Sequence, residues 1–123
     1  MDRIERINET MKREIGLIVH TEVKDPRLQF VTITQVDVSR DLQHARVSFS
    51  VLGNSLQVEK VLDGLNSAKG FIRKLIGQRI RMRFTPDIEF IHDRSLEYSA
   101  RIEQALEEIR HEPKKDSARN SKT

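Results

Sequence analysis

Residues 45–52 alternate without a break. Ala45, Val47, Phe49 and Val51 fall on one side, and Arg46, Ser48 and Ser50 on the other. Side chains on a strand repeat every two residues, so this pattern predicts a strand with one buried face and one wet face. The buried face needs an apolar cover, which must come from the rest of a 123-residue chain. The segment just before it, residues 29–39 (QFVTITQVDVS), is rich in β-branched residues and reads as a second strand. Only Arg40-Asp41-Leu42-Gln43 separates the two. So short a connection implies an antiparallel hairpin.

Helices supply the cover. In residues 2–20, Ile4, Ile7, Met11, Ile15 and Ile18 recur at spacings of three and four, which makes one apolar stripe. Asp2 followed by Glu5 forms a capping-box pattern at its start. Lys24-Asp25-Pro26-Arg27 reads as a turn, because Pro26 cannot continue a helix. After Gly53-Asn54, with Ser55 as the expected N-cap, a second stripe runs through Val58, Val61, Leu62, Leu65, Ala68, Ile72, Leu75 and Ile76. Its middle holds Gly64, Asn66, Ser67 and Gly70, all weak helix formers. Two helices joined by a sharp break near Ser67-Ala68-Lys69-Gly70 are therefore expected, the second ending at Gly77. Phe84, Ile88 and Phe90 predict a third strand over 83–91, in which Pro86 implies an edge position or an early strand residue. A last helix, capped by Asp93 or Ser95, carries Ala100, Ile102, Leu106 and Ile109. Residues 111–123 hold no large apolar residue and read as a disordered basic tail.

The expected order is α-β-β-α-kink-α-β-α, a small α+β domain with helices on one face of a three-stranded sheet. The domain occupies 1–110 and the tail 111–123. With 37% hydrophobic residues in strict patterns, wholesale disorder is not expected. The absence of cysteine excludes disulfides, thiolate metal sites and cysteine nucleophiles. No apolar run approaches the roughly 20 residues of a membrane span, and the N-terminus is no signal peptide. A soluble cytoplasmic protein is the expectation.

Charge narrows the function. The net charge of +3 hides one compact block. Residues 69–84 carry Lys69, Arg73, Lys74, Arg79, Arg81 and Arg83 and no acid. Such a block is the electrostatic footprint of a phosphate-backbone binder. A helical wheel places Lys69, Arg73 and Lys74 opposite the apolar stripe, with Arg79, Arg81 and Arg83 in the lead-in to the third strand. The tail cations Lys114, Lys115, Arg119 and Lys122 are a weaker second attraction. Aromatics make up 5% of the chain, with no Trp, so a surface that stacks many bases is not expected.

No catalytic, cofactor or metal motif is present, and the four histidines have no ligand spacing. Asp87, Glu89, His92 and Asp93 are the one acidic grouping that a metal-dependent nuclease would want. The solvated face of an edge strand accounts for them more simply. No catalytic residue, metal or cofactor is assigned.

A helix pair with small residues in its turn, beside a three-stranded sheet, is the layout of a KH domain. The usual GxxG of that fold lets backbone amides meet phosphates. Here Ala68-Lys69-Gly70, an Ala-x-Gly, stands in its place. Ser67, Lys69, Gly70, Arg73, Lys74, Arg79, Arg81 and Arg83 are the candidate RNA-binding residues.

The sequence resembles the bacterial ribosome-binding factor A family. The resemblance is carried by Lys24-Asp25-Pro26-Arg27, Val31-Thr32-Ile33-Thr34, Val36, Val38-Ser39, Asp41-Leu42 and His44-Ala45. It continues through residues 65–73, Leu75-Ile76-Gly77, Ile80-Arg81-Met82-Arg83, Thr85-Pro86, Phe90 and Asp93-Arg94-Ser95. It departs from the family at Arg94, where the pattern usually has Glu. The resemblance implies a type II KH-like fold. It also implies a non-enzymatic factor, without cofactor, that binds free or immature 30S subunits and 16S rRNA but not 70S ribosomes or polysomes. Such a factor assists late 16S maturation, including 5′-end processing, and matters most in the cold. A monomer without membrane contact is expected. A generic KH-like RNA chaperone without ribosome preference is the alternative.

Overall fold

The computed structural model describes residues 1–95 and 105–106. Residues 1–93 form one unit and residues 94–123 another. In the first unit, helix α1 (Arg3–Thr21) leads through a 3₁₀ turn (Pro26–Leu28) into strands β1 (Val31–Val38) and β2 (His44–Val51). Helix α2 (Ser55–Arg79) and strand β3 (Asp87–His92) follow. Of the second unit, Arg94, Ser95, Ala105 and Leu106 are described, the last three as helical. The expected last helix lies otherwise outside the described residues, and the expected tail lies wholly outside them.

The sheet order is β1-β2-β3. β1 and β2 are antiparallel, as their short connection implies, and Val38 faces Ala45 beside the turn. β3 adds parallel to β2, with Ala45 opposite Ile88 and Val47 opposite Phe90. A parallel neighbour needs a long crossover, and α2 is that crossover. Pro86 is buried just before β3 and Asp87 N–H donates to Gln43 O at 2.8 Å. The strand thus starts at Asp87 rather than 83, because proline has no N–H to give to the ladder.

One regularity of β1 is broken and then restored. Its buried residues are Val31, Ile33, Val36 and Val38, so the alternation changes phase after Ile33. Ile33 faces Phe49 and Gln35 faces Ser48, which leaves Thr34 as an extra residue, a β-bulge. The bulge returns Val36 and Val38 to the core side. Thr34 Oγ1 meanwhile donates to Asp93 Oδ2 at 2.8 Å, fastening the end of β3.

Both helices pack on the apolar side of the sheet. Met11, Ile15 and Ile18 from α1 and Val61, Leu65, Ile72 and Ile76 from α2 are buried with Val47, Phe49, Ile88 and Phe90. Asp2 is the N-cap of α1, its Oδ1 accepting from Glu5 N–H at 2.8 Å. Asn8 Oδ1 accepts from Val38 N–H at 2.8 Å, satisfying a donor on the outer edge of β1.

The expected break in the second helix is absent. α2 runs unbroken for 25 residues from an Asn54 cap, with Ile80 N–H closing its last turn on Ile76 O. The glycines and Asn66 weaken it by roughly 1 kcal/mol each at most. Burying Val61, Leu65, Ile72 and Ile76 in one register outweighs that, at about 1.5–3 kcal/mol per side chain. Gly64 and Gly77 instead serve packing. A Cβ on Gly64 would stand 3.0 Å from Leu28 of the 3₁₀ turn, and one on Gly77 2.8 Å from Thr85 Oγ1.

Candidate nucleic-acid interface

The basic block lies on the second half of α2 and on the loop from Ile80 to Pro86. Arg79 apart, the structure sorts the candidate residues into three groups. Ser67, Gly70 and Lys74 follow one another at i, i+3 and i+7 and are all exposed, so they share the outward stripe of α2. Lys69 and Arg73 flank it and are half-buried. Arg81 and Arg83 project from the loop and are exposed.

Arg73 does not point its charge outward. Its Nε donates to Pro86 O and its Nη2 to Thr85 O, each at 3.0 Å. The planar fork of the guanidinium matches two successive carbonyls, so this side chain clamps the loop to α2. Arg79 does not belong to the lead-in of the third strand, because α2 continues past the expected stop at Gly77 as far as Arg79. The side chain reaches α1 instead, where Nη1 lies 3.3 Å from Glu14 Oε2 and Nη2 3.4 Å from Glu22 Oε1. Two of the six block cations are therefore engaged by groups of the same chain, Arg73 at a half-buried site and Arg79 at an exposed one. Lys69, Lys74, Arg81 and Arg83 have no acidic partner among the described residues.

Anchoring at three points makes the loop a defined platform. Ile80 packs on the core, Thr85 rests against Gly77, and Arg73 holds the Thr85 and Pro86 carbonyls. The backbone amides around Ala68-Lys69-Gly70 are a different matter. In an unbroken helix they serve the helix's own ladder, so they do not supply the phosphate donors that a GxxG loop offers. Gly70 presents a smooth spot instead: a Cβ there would meet nothing within 4 Å.

The remaining motifs are structural or separate. Asp25 Oδ1 accepts from Arg27 N–H at 2.9 Å, and its carboxylate pairs with the Arg27 guanidinium at 2.7 Å. The Arg27 side chain, then its backbone N–H, hold the Asp25 carboxyl below the usual carboxylate range. This knot braces the turn that seats Leu28 against Gly64. The acidic group on β3 does not converge. Asp87 and Glu89 lie on the exposed face, with Glu89 3.6 Å from Arg46, whereas the His92 ring packs on Phe49 inside, centroids 5.6 Å apart. No set of three or more acids and histidines able to hold a metal occurs among the described residues. Nor is any described helix long and apolar enough to cross a membrane.

One residue of the loop carries a signal that charge counting passes over. Phe84, expected inside the third strand, stands before it and is 67% exposed, with the Arg83 guanidinium 5.6 Å from its ring centroid. An aromatic interleaved with Arg81 and Arg83 was the legible hint.

Known proteins resemble most of this chain. The family model for ribosome-binding factor A matches residues 3–106. Ribosome-binding factor A of Halothermothrix orenii is 45% identical over 114 residues, 93% of each chain. The crystal structure of ribosome-binding factor A from Thermus thermophilus superposes with a TM-score of 0.69 at 24% identity, covering 76% of this chain and all of that one, and shares its KH-like fold. A homology model of the Thermus thermophilus protein, fitted into the cryo-electron microscopy map of its complex with the 30S subunit, matches with a TM-score of 0.60 at 26% identity over 71% of this chain and 91% of that one. With the α+β topology, the open basic platform and this match along nearly the whole length, the chain belongs to the ribosome-binding factor A family.

Proposed function

We propose that this protein binds the free or immature 30S subunit through Lys69, Lys74, Arg81 and Arg83, around the smooth stripe of Ser67 and Gly70. The observation that carries this reading is the presence, on and beside one anchored loop, of four cations without acidic partners among the described residues. They meet rRNA phosphates, which positions the protein without reading sequence. Specificity comes from RNA shape against the stripe, where Gly70 lets a sugar-phosphate strand come close. By holding one rRNA conformer more tightly than its competitors, the protein assists late 16S maturation, including 5′-end processing, without making or breaking a bond. Alternative pairings are escaped more slowly when cold, and the need for the factor rises accordingly. It acts as a cytoplasmic monomer and leaves before 70S ribosomes and polysomes form.

The test is co-sedimentation with purified 30S subunits at graded salt. Four phosphate contacts give a slope of log K against log salt of about −3 to −4. The double variant Arg81→Glu/Arg83→Glu flattens the slope and releases the protein, with thermal stability unchanged because neither side chain is buried. A flat wild-type response, or undiminished sedimentation of the double variant, overturns the assignment. Equal affinity for an unrelated structured RNA turns it into a generic chaperone.

A further inference from the structure

We propose that Phe84 is a stacking platform for one unpaired RNA base. This deepens the proposed RNA-binding reading and rests on it. A phenylalanine 67% exposed leaves apolar surface in water with no return in folding. The ring sits on a loop that is not loose: Arg73 grips the two carbonyls that follow it, Pro86 is buried, and Thr85 abuts Gly77. The backbone carrying it is thus fixed before any ligand arrives, which lowers the ordering cost of binding. Arg83 lies over the ring at 5.6 Å, and Arg81 is two residues further back. An aromatic ring with a guanidinium beside it and cations around it suits a nucleotide. The base takes the ring face, and the phosphates on either side take the charge. Duplex RNA keeps its bases stacked inside, so the ring selects a bulge, a loop or a strand end. Phosphate-reading cations alone make no such distinction. A protein partner would also take an exposed phenylalanine, but the basic surroundings favour a polyanion.

The chain has no tryptophan, so Phe84→Trp introduces a single reporter. The probes are purified 30S subunits, a mixed-sequence single-stranded RNA dodecamer and the corresponding duplex. The tryptophan emission is expected to be quenched by the single strand and by 30S subunits, and little affected by the duplex. Phe84→Ala weakens binding of the single strand about 5- to 100-fold without changing the salt slope. Phe84→Leu, which keeps apolar bulk without a π-face, does not restore it, whereas Phe84→Tyr does. Unchanged single-strand affinity in Phe84→Ala, with a steep wild-type salt slope, overturns the stacking role and leaves the basic surface standing. Loss of 30S binding alone, with RNA affinity intact, assigns the ring to a ribosomal protein and also overturns it. Failure of the wild type to bind RNA at all overturns both readings. Circular dichroism of each variant establishes that the fold is kept.

Discussion

Replacing Arg73 separates a cation that builds the platform from cations that use it. Arg73→Ala removes two charge-assisted hydrogen bonds, each 3.0 Å long, and leaves the Thr85 and Pro86 carbonyls without them at a half-buried site. A hydrogen bond to a charged group contributes about 1.5–3 kcal/mol. Both bonds come from one guanidinium with partial solvent access, so the joint loss is set at about 2–3 kcal/mol rather than at their sum. For an ordered unit of this size, 1 kcal/mol moves the midpoint by about 4–8 °C, which puts the expected fall at roughly 10–20 °C. Arg73→Lys keeps the charge but not the fork. An ammonium cannot satisfy two carbonyls in that geometry and recovers half the loss at most. The assay is thermal unfolding by circular dichroism, paired with 30S sedimentation well below the variant's midpoint. A clamp predicts that both variants melt early and that Arg73→Lys binds no better than its residual fold allows. An unaltered midpoint with lost 30S binding would falsify the clamp and return Arg73 to the phosphate-binding set.

Two glycines of α2 should respond in opposite directions. Gly70→Ala is expected to raise stability by about 0.5–1 kcal/mol, since its Cβ meets nothing and alanine is the better helix former; a fall in the denaturation midpoint would contradict the open-surface reading. Gly77→Ala, whose Cβ would stand 2.8 Å from Thr85 Oγ1, should cost about 1–3 kcal/mol, and an unchanged midpoint would mean that the loop gives way freely. The Asp25 carboxyl is held low in the folded protein, first by the Arg27 side chain and then by the Arg27 N–H, so its contribution is fully present above the ordinary carboxylate value and is lost as pH falls through the folded one. The stability gap between wild type and Asp25→Asn should accordingly be widest near neutrality and close below about pH 4; a gap independent of pH from neutral to acid would refute the pairing.

What the sequence alone determined is what repeats along the chain. The alternation of residues 45–52, the stripe of α1 and the short β1–β2 turn are local periodicities, and burial follows them because one face of each element must leave water. The capping role of Asp2 is local as well, since it concerns a backbone donor within a few residues. The family was equally legible, because its motifs keep their order and spacing. Tertiary structure decided whatever depended on competition between distant groups. The weak helix formers of residues 64–70 argued for a break, but Val61, Leu65, Ile72 and Ile76 share one buried face, and that long-range burial keeps α2 continuous. The parallel pairing of β3 with β2 and the bulge at Thr34 likewise needed the partner strand. In the basic block, six cations look alike in one dimension. Only the folded chain sends Arg79 to Glu14 and Glu22 and folds the carbonyls of Thr85 and Pro86 back onto Arg73, because a charge's partner is fixed by what lies within about 4 Å of it and not by its neighbours in sequence.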